Sequence, residues 1–523
     1  MENREQESHH KNHSMQELSK NPFQTKNMFE LFLLLGIPPD SDKSDPNVLI
    51  AFPPFCLPEI QISNVVHFCL PTGTKRTDLA CDENRIIQDE FVFQVSVKGE
   101  NLYGVCVHVH LTKNQKKSKR KWPFFISKHN ENSIFCFCLL SKIPAFGVHF
   151  MFLTYLGLAA FGKVSVNNNC KKDDLQVMLS IGEPINGLDL NGHIGFHPSI
   201  KLPEYFELEI EKYYQMPLTE SQTIVFHKNF ELYFPLEMSL NGKSILYASL
   251  DTLFSLLTIV DILRLVNGLL LDSQILVIGS HLHEVSMCIY ALQEIIFPFK
   301  FSGTVIPILP KLDMFFDLLN LPTPFLIGVG PYPKLQKMVF LESIIFVNLD
   351  KGIVSETKLY PSYPQSIKIA TKLSKFLSQH RCVEQENGFG ASNIFTKTLN
   401  HRYKFTPNTS DAICQTILRP FSSLFNESIY DFFITDTTTS EEGVTIFNQD
   451  LFLSESSSQD KKFYQDLVNS QTFRMYIERR ISKFKIKRGE PPTHVSRART
   501  SFQSHPKAKV HYRVRSIQLD IEE

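Results

Sequence analysis

From Val48 onward the chain carries short apolar, β-rich runs separated by turn clusters: NVVHFCL, EFVFQVSV, LYGVCVHVHL and SIFCFCLLS. Alternation over a few residues, bounded by polar and turn-forming positions, predicts a meander of antiparallel strands. The preceding forty-odd residues are polar. They end in an amphipathic patch, Met28 to Leu35, before the turn signal IPPDSDKSDPN, and residues 1–45 are expected to form an extension. Between the third and fourth runs, KNQKKSKRKW is too rich in Lys and Arg to be a core strand and predicts a loop. Ile143 to Gly162 is almost uniformly apolar and about as long as a bilayer span. Pro144, Gly147, His149 and Thr154 interrupt it and Lys142 and Lys163 bracket it, so a buried helix on one face of the meander is expected.

Over 205–355 the period changes. A helix is expected from Ser249 to Leu271, a buried strand from Gln274 to Ser280 and a helix from His281 to Phe297, stopped by Pro298. The run GTVIPIL, a helix from Leu312 to Leu319, and the runs PFLIGVG and SIIFVNLD follow. Helices alternating with β-branched strands predict an α/β layer covered on both faces. Over 365–482 the β runs fade and helices are expected at Ser366–Gln379, Asp411–Phe433 and Lys461–Phe484, divided by the acidic loop ITDTTTSEEG. The expected units are therefore an extension (1–45), a first lobe (46–165), a connecting segment (166–204), an α/β lobe (205–355), a helical part (365–482) and a basic flexible tail (483–523).

At 523 residues and 43% hydrophobic content, the chain is long enough for two or three cores. Its 54 basic and 54 acidic residues cancel, so bulk charge calls for no nucleic acid and no strongly charged substrate. The ten cysteines lie mostly in apolar strings without a C-x-x-C pair, which suits reduced core thiols in the cytoplasm. The first residues hold no apolar segment of the kind a secretory signal needs.

Motifs for covalent or metal-assisted chemistry fail on inspection. Asn241-Gly242-Lys243-Ser244 resembles the end of a phosphate-binding loop, but Glu237 stands where its first glycine belongs and would repel phosphate. Gly328 and Gly330 follow a strand, yet Pro331 replaces the helix start that a dinucleotide site requires. His108 with His110, and His281 with His283, have metal-ligand spacing but no third donor nearby in sequence. No cofactor, no metal and no catalytic residue is expected; the chain reads as a protein that acts by binding.

The segment Leu269–Val329 resembles the central element of the tripartite DENN family almost continuously, through Phe297-Pro298, Ile306-Pro307-Ile308-Leu309-Pro310 and Pro322 to Gly328, with VNLDKG as its closing strand and turn. Upstream, Phe68 to Pro71, Phe91 to Phe93, Leu102 to Cys106 and Cys138 to Pro144 resemble the first element. Downstream, Phe447–Phe452 and Phe463–Glu478 resemble the last, with Gln471 and Phe473 matching its most recognisable pair. The similarity runs over about residues 46–480; Asp272 stands for the family's usual glutamate, Phe301 for its tryptophan, and 165–235 does not align.

The resemblance implies an α/β fold class with a longin-like antiparallel sheet lobe, a three-layer α/β second lobe and a helical C-terminal part. It implies guanine-nucleotide exchange on a Rab-family small GTPase in vesicle trafficking, with the protein regulating an enzyme rather than being one. A DENN-fold adaptor or GTPase effector without exchange activity is the alternative. Peripheral contact with anionic membrane, through the basic loop and tail, is compatible with either. GTPase contacts are expected from polar positions flanking the matched elements, namely Asp261, Arg264, Asp272, Lys300, Lys311 and Asp313, while Pro307, Pro310, Pro324 and Gly328 fix turns.

Overall fold

The computed structural model describes residues 27–39, 46–53, 62–74, 87–97, 100–110, 126, 133–161, 195–196, 204–226, 230–235, 242–310, 317–330, 344–356, 360–379, 403, 405–426, 429–430, 433–437 and 444–487. The basic loop, the basic tail, Lys311, Asp313 and most of the helix expected at Leu312–Leu319 lie outside them.

A six-stranded antiparallel sheet organises the first lobe, built from β1 (Leu31–Gly36), β2 (Asn47–Phe52), β3 (Ile87–Val97), β4 (Glu100–Val109), β5 (Phe135–Ser141) and β6 (Gly195–Phe196) in the order β3-β4-β5-β1-β2-β6. The amphipathic patch assigned to an N-terminal extension is instead a central strand: Phe32 pairs with Leu139 on one side and Phe52 on the other. Its run LFLLLG is apolar throughout because both faces are buried. Leu31, Leu33 and Leu35 enter one core and Phe32 and Leu34 another.

NVVHFCL is also corrected, from strand to the helix α1 (Ile62–Cys69). Val65, Val66, Cys69 and Leu70 are buried while His67 is exposed, a spacing of one helical face that a short apolar run conceals.

The apolar segment is the helix α2 (Phe146–Phe161), buried against the sheet; among the described residues no helix is long and apolar enough to cross a membrane. Its interrupting His149 is satisfied rather than reactive. Nε2–H donates to the Ile143 carbonyl at 3.1 Å, leaving Nδ1 to accept from Tyr213 Oη at 2.8 Å, and burial pushes the imidazole pKa down to about 4. Tyr213 belongs to α3 (Glu204–Tyr214), which with the hairpin β7 (Gln222–Val225) and β8 (Glu231–Phe234) packs on α2: Tyr155 stacks on Phe230 at 4.4 Å and Phe152 on Tyr213 at 4.0 Å. Residues 205–234 thus complete the first-lobe core, and the expected boundary at 205 moves C-terminally.

The expected helix Ser249–Leu271 is two helices, α4 (Ser244–Leu256) and α5 (Ile259–Leu270). Leu257 is extended, and Thr258 caps the second helix by accepting from the Asp261 amide at 3.2 Å and donating to its carboxylate at 2.6 Å, a reciprocal start signal. The second sheet runs β10-β11-β9-β12-β13, from β9 (Gln274–Ile278), β10 (Thr304–Ile306), β11 (Phe325–Val329), β12 (Ile344–Asn348) and β13 (Ile353–Glu356). Only β13 joins antiparallel. Ile275, Val277 and Leu326 face one core, Leu276, Phe325 and Ile327 another, so both faces of the central strands are buried.

Helix α6 (Leu282–Ile295) lies between the lobes: Met287 and Tyr290 enter the first-lobe core, Cys288, Ile289 and Leu292 the core shared by the rest of the chain.

C-terminally, α7 (Ser366–Ser378), α8 (Pro407–Ile417), α9 (Ser422–Phe425), α10 (Gln449–Ser454), α11 (Lys461–Asn469) and α12 (Gln471–Lys487) follow. Two expected long helices are divided. A 3-10 turn containing Pro420 separates α8 from α9, and extended Ser470 separates α11 from α12. This part is not purely helical either, because β14 (Ile434–Thr437), which takes the first four residues of the expected acidic loop, pairs with β15 (Val444–Phe447). Phe299, after α6, packs against Phe421, Phe425 and Tyr476, joining these helices to the second lobe.

Candidate functional site

The parallel strands β9, β11 and β12 end together, and in such sheets the C-terminal edge is where ligands and partners are met. Here that edge faces the first lobe. Ser280, leaving β9, gives its amide and hydroxyl to the two oxygens of Asp350, each at 2.8 Å. Helix α6 starts two residues later, and the free N–H of Leu282 is met by Asp89 Oδ2 of β3 at 2.9 Å. A carboxylate from one lobe thus caps a helix of the other, with the sign that the helix dipole favours. Alongside, His283 Nδ1 is 3.4 Å from Glu90 Oε1, and the Val92 amide donates to Ser286 Oγ at 3.3 Å.

Burial sets the electrostatics of this seam. It pushes the Asp89 and Glu284 carboxyls up and the His108 imidazole down, while the hydrogen bond from the Leu282 amide opposes the rise at Asp89. Glu90, desolvated and beside Asp89, is pushed up to about 8. The folded chain therefore holds a proton on Glu90 that the unfolded chain has lost, between pH 4.5 and about 8. The contribution is fully present below pH 4.5 and is lost as pH rises through about 8, with a slope of at most about 1.4 kcal/mol per pH unit. Denaturant titrations from pH 5 to 9 should show stability falling with pH in the wild type and a flatter profile in Glu90→Gln.

The described members of the sequence-selected set lie elsewhere. Asp261 and Arg264 sit on α5, where Arg264 Nη1 donates to Asp261 Oδ1 at 3.1 Å and Glu356 adds a nearby charge. Lys300 is exposed. Asp272, at the opposite end of β9 from the seam, has a φ of 53° and accepts from Ser302 Oγ at 2.9 Å and Thr472 Oγ1 at 2.6 Å, and from the amides of Gln471 and Thr472. Its carboxylate is committed to capping α12. None of these positions joins the cluster of Asp89, Glu90, Ser280, His283, Ser286 and Asp350, of which sequence reasoning had noticed only His283, as half of a metal-spaced pair. The adjacent acids opening an apolar strand, Asp89 and Glu90, were the signal available.

The arrangement fixes two lobes relative to each other. Among the described residues, His108 with His110 and His281 with His283 belong to no convergent metal-ligating group; Cys69, Cys106 and Cys138 form one.

Residues 199–352, from the approach to α3 through β12, match the family described as DENN (AEX-3) domain. Over these residues the chain is similar to the DENN domain. Human DENN domain-containing protein 1B is 22% identical over 454 residues, covering 86% of this chain and 48% of that protein. DENN domain-containing protein 1A of Xenopus laevis is 23% identical over 467 residues, covering 89% and 36%. Human DENN domain-containing protein 2B is 25% identical over 243 residues, covering 45% and 19%. The chain thus spans about half or less of the length of these relatives. The DENN match includes α6 and its capped start, so the second-lobe side of the seam lies wholly inside the domain. Phe301 is buried, so an aromatic ring fills that place in the core.

Proposed function

We propose that this protein is a guanine-nucleotide exchange factor, which binds a Rab-type small GTPase and promotes release of its GDP in vesicle trafficking. The observation that carries the proposal is a DENN domain whose α6 is capped by a carboxylate of the neighbouring lobe, so that two surfaces are held at fixed spacing. Exchange needs no nucleophile. A protein that binds the nucleotide-free GTPase more tightly than the loaded one must weaken nucleotide binding by the same factor.

The antiparallel sheet with α1 and α2 supports a longin-like first lobe, and the doubly buried central strands support a three-layer second lobe. Asp261, Arg264 and Lys300, with Lys311 and Asp313 outside the described residues, are the polar positions proposed to meet the GTPase. Asp272 is withdrawn from that set because its carboxylate is used inside the chain.

The deciding experiment measures release of labelled GDP from a panel of purified Rabs. Faster release from at least one is expected, and Arg264→Ala should slow it about tenfold with little change in the melting temperature, since an exposed ion pair adds at most about 1 kcal/mol. Binding by one Rab with no acceleration would overturn exchange in favour of an adaptor or effector. No binding at all would reject both.

A further inference from the structure

We propose that Cys69, Cys106, Cys136 and Cys138 form a binding site for one thiophilic metal ion, zinc by the number of donors, in the core of the first lobe. The Sγ atoms of Cys69, Cys106 and Cys138 all lie within 4.8 Å of one another, and all three residues are fully buried. They come from three elements. Cys69 closes α1, Cys106 lies on β4, and Cys138 on β5 is its direct cross-strand partner. Cys136, two residues along β5 from Cys138 and buried in the same core, lies outside that 4.8 Å group and would supply the fourth thiolate by a change of rotamer.

A zinc–thiolate bond of about 2.3 Å places the sulfurs of a tetrahedral site about 3.8 Å apart, so modest rotamer adjustment brings this trio to coordination spacing. The alternative occupant of such a set is copper(I), which takes fewer thiolates. Each ligating thiol gives its proton to solvent on loading, and no sulfur is oxidised. The shell around the donors is ordered: His108 Nε2–H donates to the Cys69 carbonyl at 2.7 Å and fixes the end of α1. Its β4 position faces Cys136 across the sheet. Sequence spacing could not reveal this site, because β4, β5 and α1 bring together residues 69, 106, 136 and 138 from distant turns.

The site is independent of any GTPase, but a loaded ion would reach the seam. Thr72, just beyond Cys69, has its Cγ2 3.7 Å from where a β-carbon on Gly330 would stand, so pinning Cys69 also pins the first-lobe segment that borders the DENN domain.

The 523-residue chain, expressed with zinc in the medium and purified without chelator, is assayed for metal by mass spectrometry. One zinc or one copper per chain is expected, identifying the ion. A strong chelator should remove it and lower the melting temperature. The double variant Cys106→Ser/Cys138→Ser should lose the metal, while Cys288→Ser, on α6, keeps it. Should the double variant fail to fold, cobalt(II) added to chelated wild-type protein provides a second readout, an intense sulfur-to-cobalt charge-transfer band with one equivalent bound. Absence of bound metal together with absence of that band overturns the site, as does metal retained in a folded double variant.

Discussion

Gly328→Ala should destabilise the protein by at least about 3 kcal/mol, measured by urea titration, because its β-carbon would enter a space already filled by backbone. A β-carbon there would stand 2.0 Å from the Pro307 carbonyl oxygen and 2.6 Å from Val285 Cγ1. The Pro307 carbonyl has no room to retreat, since two residues on the Leu309 amide donates to the Gly328 carbonyl at 2.7 Å. Moving one strand breaks that bond and unseats Val285 from α6. The contrast is Gly147→Ala at the start of α2, where nothing lies within 4 Å of the new methyl group; there stability should be unchanged or raised by up to about 1 kcal/mol.

Asp272→Ala should cost about 2–3 kcal/mol and loosen α12, which hydrogen exchange across Gln471–Ile477 would register as faster protection loss. Three effects combine. The first-turn amides of Gln471 and Thr472 lose their acceptor, the hydroxyls of Ser302 and Thr472 lose theirs, and alanine disfavours the left-handed backbone at φ 53°. Asp272→Asn keeps the backbone preference and one side-chain oxygen, so it should recover about half of the loss. Equal damage from both would mean that the hydrogen bonds of the carboxylate carry little of the energy.

The strands and the deep helices were legible because they follow simple periods or long apolar runs. Helix α6 and strands β9, β11 and β12 fall where QILVIGS, the following helix, PFLIGVG and SIIFVNLD predict them. The failures share a cause. LFLLLG in β1 and NVVHFCL in α1 are short runs whose period is hidden, in the first because neighbours bury both faces and in the second because two helical turns are too few. The helix divisions at Thr258, Pro420 and Ser470 were written in capping and proline signals that a long apolar pattern overrode. Of the candidate site, His281 and His283 drew attention for their spacing. Their surroundings come from residues far away in sequence: Asp89 and Glu90, brought by the packing of β3 on α6, and Asp350, brought by the pairing of β12 with β9.

The position of α6 bears on what can be treated as a unit. The stretch matched as a DENN domain contains a helix whose Met287 and Tyr290 are lodged among Tyr103 and Phe146 of the preceding lobe, and its α3, β7 and β8 complete that lobe as well. Inheritance and folding have divided this chain at different places. An excised 199–352 fragment would carry raw apolar faces on both counts.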